Sequence, residues 1–414
     1  MKSIITKWNS MSLILRIVIG LVIGAILGIA LPGVTAIGIL GTVFVGALKA
    51  IAPVLVFVLV ASALANAQGN IGARFRSVIA LYLSSTILAA VLAVIGSFLF
   101  PVTMILNIAA ADNTPPGGIG EVLTNILTSM VSNPVGAIVS GNYVGILFWA
   151  IIFGFGLKKL ATAPTKKVIS EFSDVATYAV HFVISLAPFG VLGLVFQSVS
   201  ENGLGIFTTY GKLILLLVGC MALVALVVDP LIVFLAIRRN PYPLVFTCLK
   251  ESGITAFFTR SSAANIPVNM QLCEKLGLES DFYSVSIPLG STINMDGAAV
   301  TITVMTLAAC HTLGISVDIP TALLLSLLAA IGACGTSGVA GGSLLLIPMA
   351  ASLFGITNDI AMQVVAVGFI ISVIQDSVET ALNSSGDVMF TAAAEYHDRL
   401  VKGEPMNYLG KPGK

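Results

Sequence analysis

Asp296, Asp376, Glu379 and Asp387 lie in an apolar stretch between Lys275 and Arg399 that contains no Lys or Arg. A carboxylate moved from water into apolar surroundings is costly unless something compensates its charge. Arg260 is the one nearby candidate cation, so most of this negative charge must be met by bound ions, by protons or by a cationic ligand group. Asp376, Thr380, Asn383 and Asp387 recur at i, i+4, i+7 and i+11. On a helix these positions share one stripe within roughly 60°, with Glu379 at its flank. Hard cations take oxygen ligands, and this stripe offers them. The alternative is a polar stripe that holds helices together.

Upstream, Gly290-Ser291-Thr292-Ile293-Asn294-Met295-Asp296-Gly297 puts a polar core between two glycines inside an apolar run. That pattern suits a locally unwound helix whose freed carbonyls could coordinate an ion. An ordinary span with Asn294 and Asp296 bonded to neighbours is the other reading. Two further stretches of small residues interrupt apolar segments. They are Thr259-Arg260-Ser261-Ser262 and the run Gly335-Thr336-Ser337-Gly338-Val339-Ala340-Gly341-Gly342-Ser343. Small residues let backbone N–H groups and helix N-termini approach an anion. An amino acid's carboxylate would suit those N–H groups and its ammonium an aspartate; a plain flexible loop is the competing reading.

These residues need a frame to hold them in an apolar medium. The 414-residue chain is 57% hydrophobic and 9% charged, with a mean hydropathy of +1.04. Soluble domains carry about 25% charged residues, so this composition indicates a polytopic membrane protein in contact with the lipid bilayer. Abundant Gly and Ala favour close helix packing over a barrel's short-period alternation, which gives an all-α fold. Spans need about 20 apolar residues and are expected at 12–32, 38–66, 78–100, 143–157, 175–199, 208–238, 280–311 and 357–394. Residues 243–272 and 319–355 are apolar but interrupted. Freed backbone groups cannot face lipid, so each is expected as a re-entrant helical hairpin with a protected tip.

Charge fixes an orientation. With the N-terminus in the cytoplasm, Arg74, Arg76, Lys158, Lys159, Lys166, Lys167, Arg238, Arg239, Arg399 and Lys402 all fall inside. The loops 101–141 and 311–319 on the other side have no Lys or Arg, as the positive-inside rule requires. The C-terminus is then also inside, and the hairpins enter from opposite faces. The run from Met11 to Pro32 lacks a clear small-x-small cleavage site and reads as an uncleaved first helix.

Other chemistries find little support. The net charge of +1 gives no reason to expect nucleic acid. The five cysteines lack CxxC spacing and read as small buried hydrophobes. His181, His311 and His397 lie far from the motifs. An intramembrane aspartyl protease using Asp296 and Asp387 would need a Gly-x-Gly-Asp element, and the chain has Ser384-Ser385-Gly386-Asp387 instead. No enzyme activity is expected. Proton coupling through an acid such as Glu379 stays open on the residues alone.

In combination and order, Arg-Ser-Ser (260–262), Asn-Met-Asp-Gly (294–297), the Gly-rich tip (335–343) and Asp-x-x-x-Thr-x-x-Asn-x-x-x-Asp (376–387) resemble the sodium:dicarboxylate symporter family, which includes the glutamate transporters. The likeness is strongest from Phe257 to Phe390 and within the family is closest to the bacterial serine/threonine:sodium symporters. It implies eight transmembrane helices plus two hairpins, a homotrimer in the inner membrane, and elevator-like motion that imports small neutral amino acids with sodium. Scaffold elements would be roughly 12–66 and 143–238, and transport elements roughly 78–100 and 243–394, within a single transporter spanning 1–414.

The resemblance also implies roles. Asp376 would hold the substrate ammonium with the carbonyls of Arg260 and Val339. Asn383 and the Ser262 amide would hold its carboxylate, with Ser261 and Thr380 lining the site. One sodium would use Gly290, Asn294, Asn383 and Asp387. A second would use the carbonyls of Thr292 and of tip residues near Ala333, Cys334 and Thr336. A third would use Asn294 and Asp296 with Tyr82, Ser85 and Thr86. Members that carry acidic substrates have Arg at the position of Glu379 and Thr at that of Ala298. Glu379 in place of Arg repels an acidic side chain and offers an acceptor to a hydroxyl, which points to serine or threonine; an internal pair between Glu379 and Arg260 is the alternative.

Overall fold

The computed structural model describes residues 11–66, 73–106, 119–334, 341–404 and 408–410. Gly20, Gly24 and Gly28 repeat at four-residue spacing along helix α1 (Leu13–Ala30). A Cβ on any of them would meet the backbone oxygen of Pro188, Leu192 or Phe196 within 3 Å. The glycines therefore let two backbones touch, which replaces the hydrophobic drive that lipid cannot supply.

Helix α2 (Ile39–Asn66) follows a short 3-10 turn at Thr35–Gly38, and α3 (Ala73–Leu99) is the next long helix. Then come α4 (Ile119–Met130), α5 (Pro134–Ser140) and α6 (Tyr143–Leu160). The span expected at 175–199 is not one straight element. It falls across α7 (Ala163–Ser185) and α8 (Ala187–Asn202), which meet at Leu186 with Pro188 in the first turn of α8. Proline has no N–H to continue the ladder, so the helix restarts there. α8 is the partner of the α1 glycines, and it also packs on α2.

At Gly203 the backbone takes φ 67°, and the chain turns into α9 (Ile206–Leu223). A π-helical turn at Val224–Val228 joins α9 to α10 (Asp229–Ile237). These two helices pack against α3 and the last helix of the chain. The segment 243–272 is a hairpin as expected. Its first arm is α11 (Tyr242–Cys248), a π turn at Leu249–Gly253 and α12 (Ile254–Thr259); its second arm is α13 (Ser262–Lys275). Arg260 makes the turn at φ 53°, and the Ser261 Oγ caps α13 by accepting from the Ala264 N–H.

The 280–311 segment is broken where the sequence suggested. α14 (Ser280–Ile293) stops, Asn294 and Met295 leave helical geometry, and α15 (Asp296–Thr312) begins. α16 (Ile319–Ala333) starts under an Asp318 cap, and its return arm runs through Ser343–Leu346 into α17 (Ile347–Ser352). The tip at 335–340, with Thr336 and Val339, lies outside the described residues. α18 (Asn358–Lys402) extends beyond the expected end at 394.

Every described element is helical. Six helical stretches among the described residues are long and apolar enough to cross a membrane: Thr35–Asn66, Arg74–Leu99, Tyr143–Leu160, Ala187–Ile237, Ser280–Thr312 and Asn358–Lys402. Gly203 divides the fourth of these. Large apolar side chains such as Val43, Val139, Leu160 and Leu215 are exposed, as a lipid-facing surface requires. The cysteines are free, and all but the half-buried Cys334 are buried. At one end of the core, Arg74 donates to Glu279 (2.6 Å) and Asp398 (2.9 Å), tying α3 to the start of α14 and the end of α18. The hydrogen bond from Arg74 holds the Glu279 carboxyl below the usual carboxylate range.

Candidate functional site

α18 is the axis of the site. Its interior is too polar to face lipid and is buried from Gln375 to Tyr396 apart from Val378 and Ala381. Asp376, Glu379, Thr380, Asn383 and Asp387 are each 5% exposed or less. The broken segment of α14–α15, the first hairpin and α3 close around them.

The break at Asn294 and Met295 faces Asn383 and Asp387. Asn294 Nδ2 donates to the Asn383 carbonyl (2.9 Å) and to Asp387 Oδ1 (3.2 Å). The Gly297 N–H donates to Asn383 Oδ1 at 2.8 Å. Asn294 Oδ1 and Asp387 Oδ2 are buried and have no hydrogen-bond partner among the described residues. A buried acceptor without a donor is unfavourable, and a cation answers two such oxygens at once. Gly290 lies against this group, since a Cβ there would come within 2.8 Å of both Asp387 Oδ1 and the Tyr82 hydroxyl. Its carbonyl accepts from the Asn294 N–H. The ligands that the family resemblance implies for one sodium thus lie together, and the unpartnered oxygens of Asn294 and Asp387 would suit such an ion. The described residues contain no group of three His, Cys, Asp or Glu suited to a metal ion, and a cation here would draw on carbonyl, amide and hydroxyl oxygens besides Asp387.

A second cluster surrounds Asp296, which starts α15 and is fully buried. Ser85 Oγ approaches Asp296 Oδ2 at 2.5 Å, and Thr86 Oγ1 donates to Asp296 Oδ1 at 2.8 Å. Tyr82, one turn earlier on α3, bonds the carbonyls of Ser286 and Asp387 and the hydroxyl of Thr391. It stands between the clusters rather than on Asp296. Asp229 also reaches Ser85, at 2.9 Å. For the ion expected at Thr292, the Cys334 thiol lies near the Ile293 carbonyl, at 3.5 Å, while Thr336 falls in the undescribed tip.

At the substrate end, Arg260 pairs with Asp376 and not with Glu379: its Nε and Nη2 both approach Asp376 Oδ2 at 2.6 Å. The left-handed turn at Arg260 carries its guanidinium inward to α18. Arg260 Nη1 is buried without a partner among the described residues. Glu379 Oε2 instead accepts from Thr301 Oγ1 (2.7 Å), Ser343 Oγ (2.8 Å) and Gln375 Nε2 (2.5 Å). Thr380 Oγ1 is turned back to the Asp376 carbonyl. Ser262 is buried near the turn, and Ser261 serves as the helix cap.

Several of these partners were not singled out in the sequence. Thr301 and Gln375 sit in apolar helices where a lone hydroxyl or amide carries no pattern, whereas Ser343 belongs to the Gly-rich run already noted but without a role there. Asn265, Asn269, Ser252 and Ser384 form a further buried network that ties both arms of the first hairpin to α18. Asp229 had a legible signal, because a carboxylate in the run Ala225–Leu235 meets the same criterion as Asp296.

The chain matches the sodium:dicarboxylate symporter family over residues 13–396. It is 60% identical over 399 residues to the serine/threonine transporter SstT of Bifidobacterium adolescentis, covering 96% of this chain and 93% of that protein. It is 59% identical over 396 residues to the serine/threonine transporter SstT of Streptococcus agalactiae, covering 95% and 98%. The protein of that name from Streptococcus thermophilus is 58% identical over the same length and coverage.

Proposed function

Because the chain belongs to the sodium:dicarboxylate symporter family, we propose that it imports serine and threonine by symport with sodium. The observation that carries this reading is the pair of unpartnered buried oxygens, Asn294 Oδ1 and Asp387 Oδ2, where the broken helix meets α18. Sodium there would offset the Asp387 charge and fix Asn383, whose side chain already holds the Gly297 N–H. Substrate is held next to it, so the two ligands bind as linked partners. The names of the relatives support serine and threonine as substrates.

Asp376 receives the substrate ammonium, and Asn383 with the Ser262 amide receives the carboxylate. Since Arg260 already holds Asp376, the ammonium shares or displaces that guanidinium. Glu379 faces the side-chain end of the pocket, kept in place by Thr301, Ser343 and Gln375. There it accepts from a serine or threonine hydroxyl and repels a substrate carboxylate. Gly290 and Thr292 supply backbone carbonyls to sodium. Tyr82, Ser85, Thr86 and Asp296 serve a further ion.

Transport follows an elevator scheme with eight spans and two hairpins, in a trimer in the bacterial inner membrane with both termini cytoplasmic. The static body comprises α1, α2 and α4–α8, and the moving body α3 and 243–394. The resemblance places residues 206–237 with the scaffold; here they belong to the moving body instead, because Asp229 shares Ser85 with Asp296. The contacts of Phe44 with Phe369 and of Lys49 with Asp359 cross between the bodies and must separate as they slide. The test is serine binding to purified protein at fixed pH across a sodium titration. Serine affinity must rise with sodium, and apparent sodium affinity must rise with serine; affinity indifferent to sodium refutes the reading.

A further inference from the structure

We infer that Asp229 is a ligand of a coupling cation in this chain, completing with Ser85, Thr86 and Asp296 a buried oxygen cage between α3, α10 and α15. The inference rests on the sodium-symport reading and adds a residue from an element otherwise outside the site.

Asp229 is the first residue after the π-helical turn Val224–Val228. A π turn takes in an extra residue and re-aims the side chains beyond it, and such turns occur often at functional positions. Here it turns a carboxylate inward from a helix whose neighbours Val227, Leu231 and Leu235 are exposed. Asp229 is 0% exposed, as is Asp296. The two carboxylates come from different helices and meet on one hydroxyl, with Ser85 Oγ 2.9 Å from Asp229 Oδ1 and 2.5 Å from Asp296 Oδ2. A serine hydroxyl has one proton. It can donate to only one of the two, and the other contact sets a lone pair against a carboxylate oxygen.

Among the described residues no donor or fixed cation resolves this. Neither carboxylate forms an ion pair with a Lys or Arg among the described residues. Asp229 Oδ2 is buried and has no hydrogen-bond partner among them. Thr303 Oγ1 is likewise buried and unpartnered. It lies seven residues beyond Asp296 on α15, which puts it about 20° from the same helix face. On α3, Ser97 Oγ has the same property eleven residues beyond Thr86, again about 20° off its face. Unpartnered oxygens thus continue along the α3–α15 seam from the cage. Two carboxylates, two hydroxyls and no fixed cation among the described residues make a site for a small monovalent cation. Ligand charge count tunes such sites, so the second carboxylate raises the affinity.

The test is thermal unfolding of the purified full-length protein in nanodiscs, without amino acid, as sodium chloride replaces choline chloride at constant ionic strength. The parent is expected to be stabilised by sodium in a cooperative titration. In Asp229→Asn, which keeps the size and the acceptor for Ser85, half-saturating sodium should rise at least about tenfold, with a lower Hill coefficient. A sodium titration unchanged from the parent overturns the inference, because it makes Asp229 a neutral or purely structural partner of Ser85. Asp229→Ser, smaller and also uncharged, carries the same expectation if Asp229→Asn does not fold. A parent that sodium does not stabilise at all refutes the symport reading, and this inference falls with it.

Discussion

Replacing Asp387 by Asn should separate the cost of its charge from its use. Asp387 Oδ1 accepts from Asn294 Nδ2 at 3.2 Å, while Oδ2 is buried without a donor. Asn keeps the first acceptor and puts a neutral amide nitrogen in place of the second oxygen. An unsatisfied buried acceptor costs about 1–3 kcal/mol, and more when it is charged. In choline the variant is therefore expected to melt at or above the parent, because the buried group that replaces the second oxygen carries no charge. Sodium should reverse the order. A ligand at a hundred times its dissociation constant stabilises the folded state by about 2.7 kcal/mol, a gain the parent makes and the variant loses. The melting curves of parent and variant, recorded in nanodiscs from choline to sodium, should cross. Two results refute the reasoning. If the variant keeps the parent's sodium response, the α18 stripe is helix glue. If it is several kcal/mol less stable in choline, Asp387 is a structural hydrogen-bond partner.

Asp376→Asn should abolish serine binding while leaving sodium-dependent stabilisation largely intact, since an ammonium then loses its charge-assisted partner; equal loss of both ligands would reassign Asp376. Glu379→Arg combined with Ala298→Thr should shift preference toward aspartate by at least about tenfold, a bidentate Arg–carboxylate pair being among the stronger polar contacts. The Thr301 and Ser343 hydroxyls can turn to accept from the new guanidinium, and competition of unlabelled aspartate against labelled serine reads the outcome. If aspartate already competes well with the parent, Glu379 does not face the substrate side chain. Thr301→Val should weaken serine binding by about 1–2 kcal/mol, because it removes one donor that orients Glu379, and should leave the sodium titration unchanged; loss of the sodium response would place Thr301 in the ion site.

The sequence carried the parts of this architecture that rest on expense. A carboxylate within an apolar run is costly anywhere, so Asp296, Asp376, Glu379 and Asp387 stood out before their neighbours were known. The break at Asn294 and the turn at Arg260 were legible because a polar, small-residue interruption cannot face lipid. Partner choice was not legible in the same way. Arg260 could reach Asp376 or Glu379, and only the folded arrangement of the hairpin turn against α18 shows that it pairs with Asp376. The single expected span at 175–199 missed the restart at Pro188, because hydropathy averages over a kink that leaves the composition unchanged. Thr301 and Ser343 reach Glu379 from other places in the chain, and no spacing rule connects them to it; Gln375, one turn before Glu379 on α18, is the one partner whose spacing could have been read. Asp229 was open to the same reasoning as Asp296 but lies outside the stretch without basic residues that drew attention first.

Uptake of labelled serine into proteoliposomes tests the central claim most directly. The internal medium is sodium-free, and the external medium holds either sodium at matched pH or choline with an inward proton gradient. Sodium-coupled symport predicts concentrative uptake in the first condition and only equilibration in the second. Undiminished concentrative uptake in choline, driven by the proton gradient, would contradict it and make Glu379 or a neighbouring acid the coupling group.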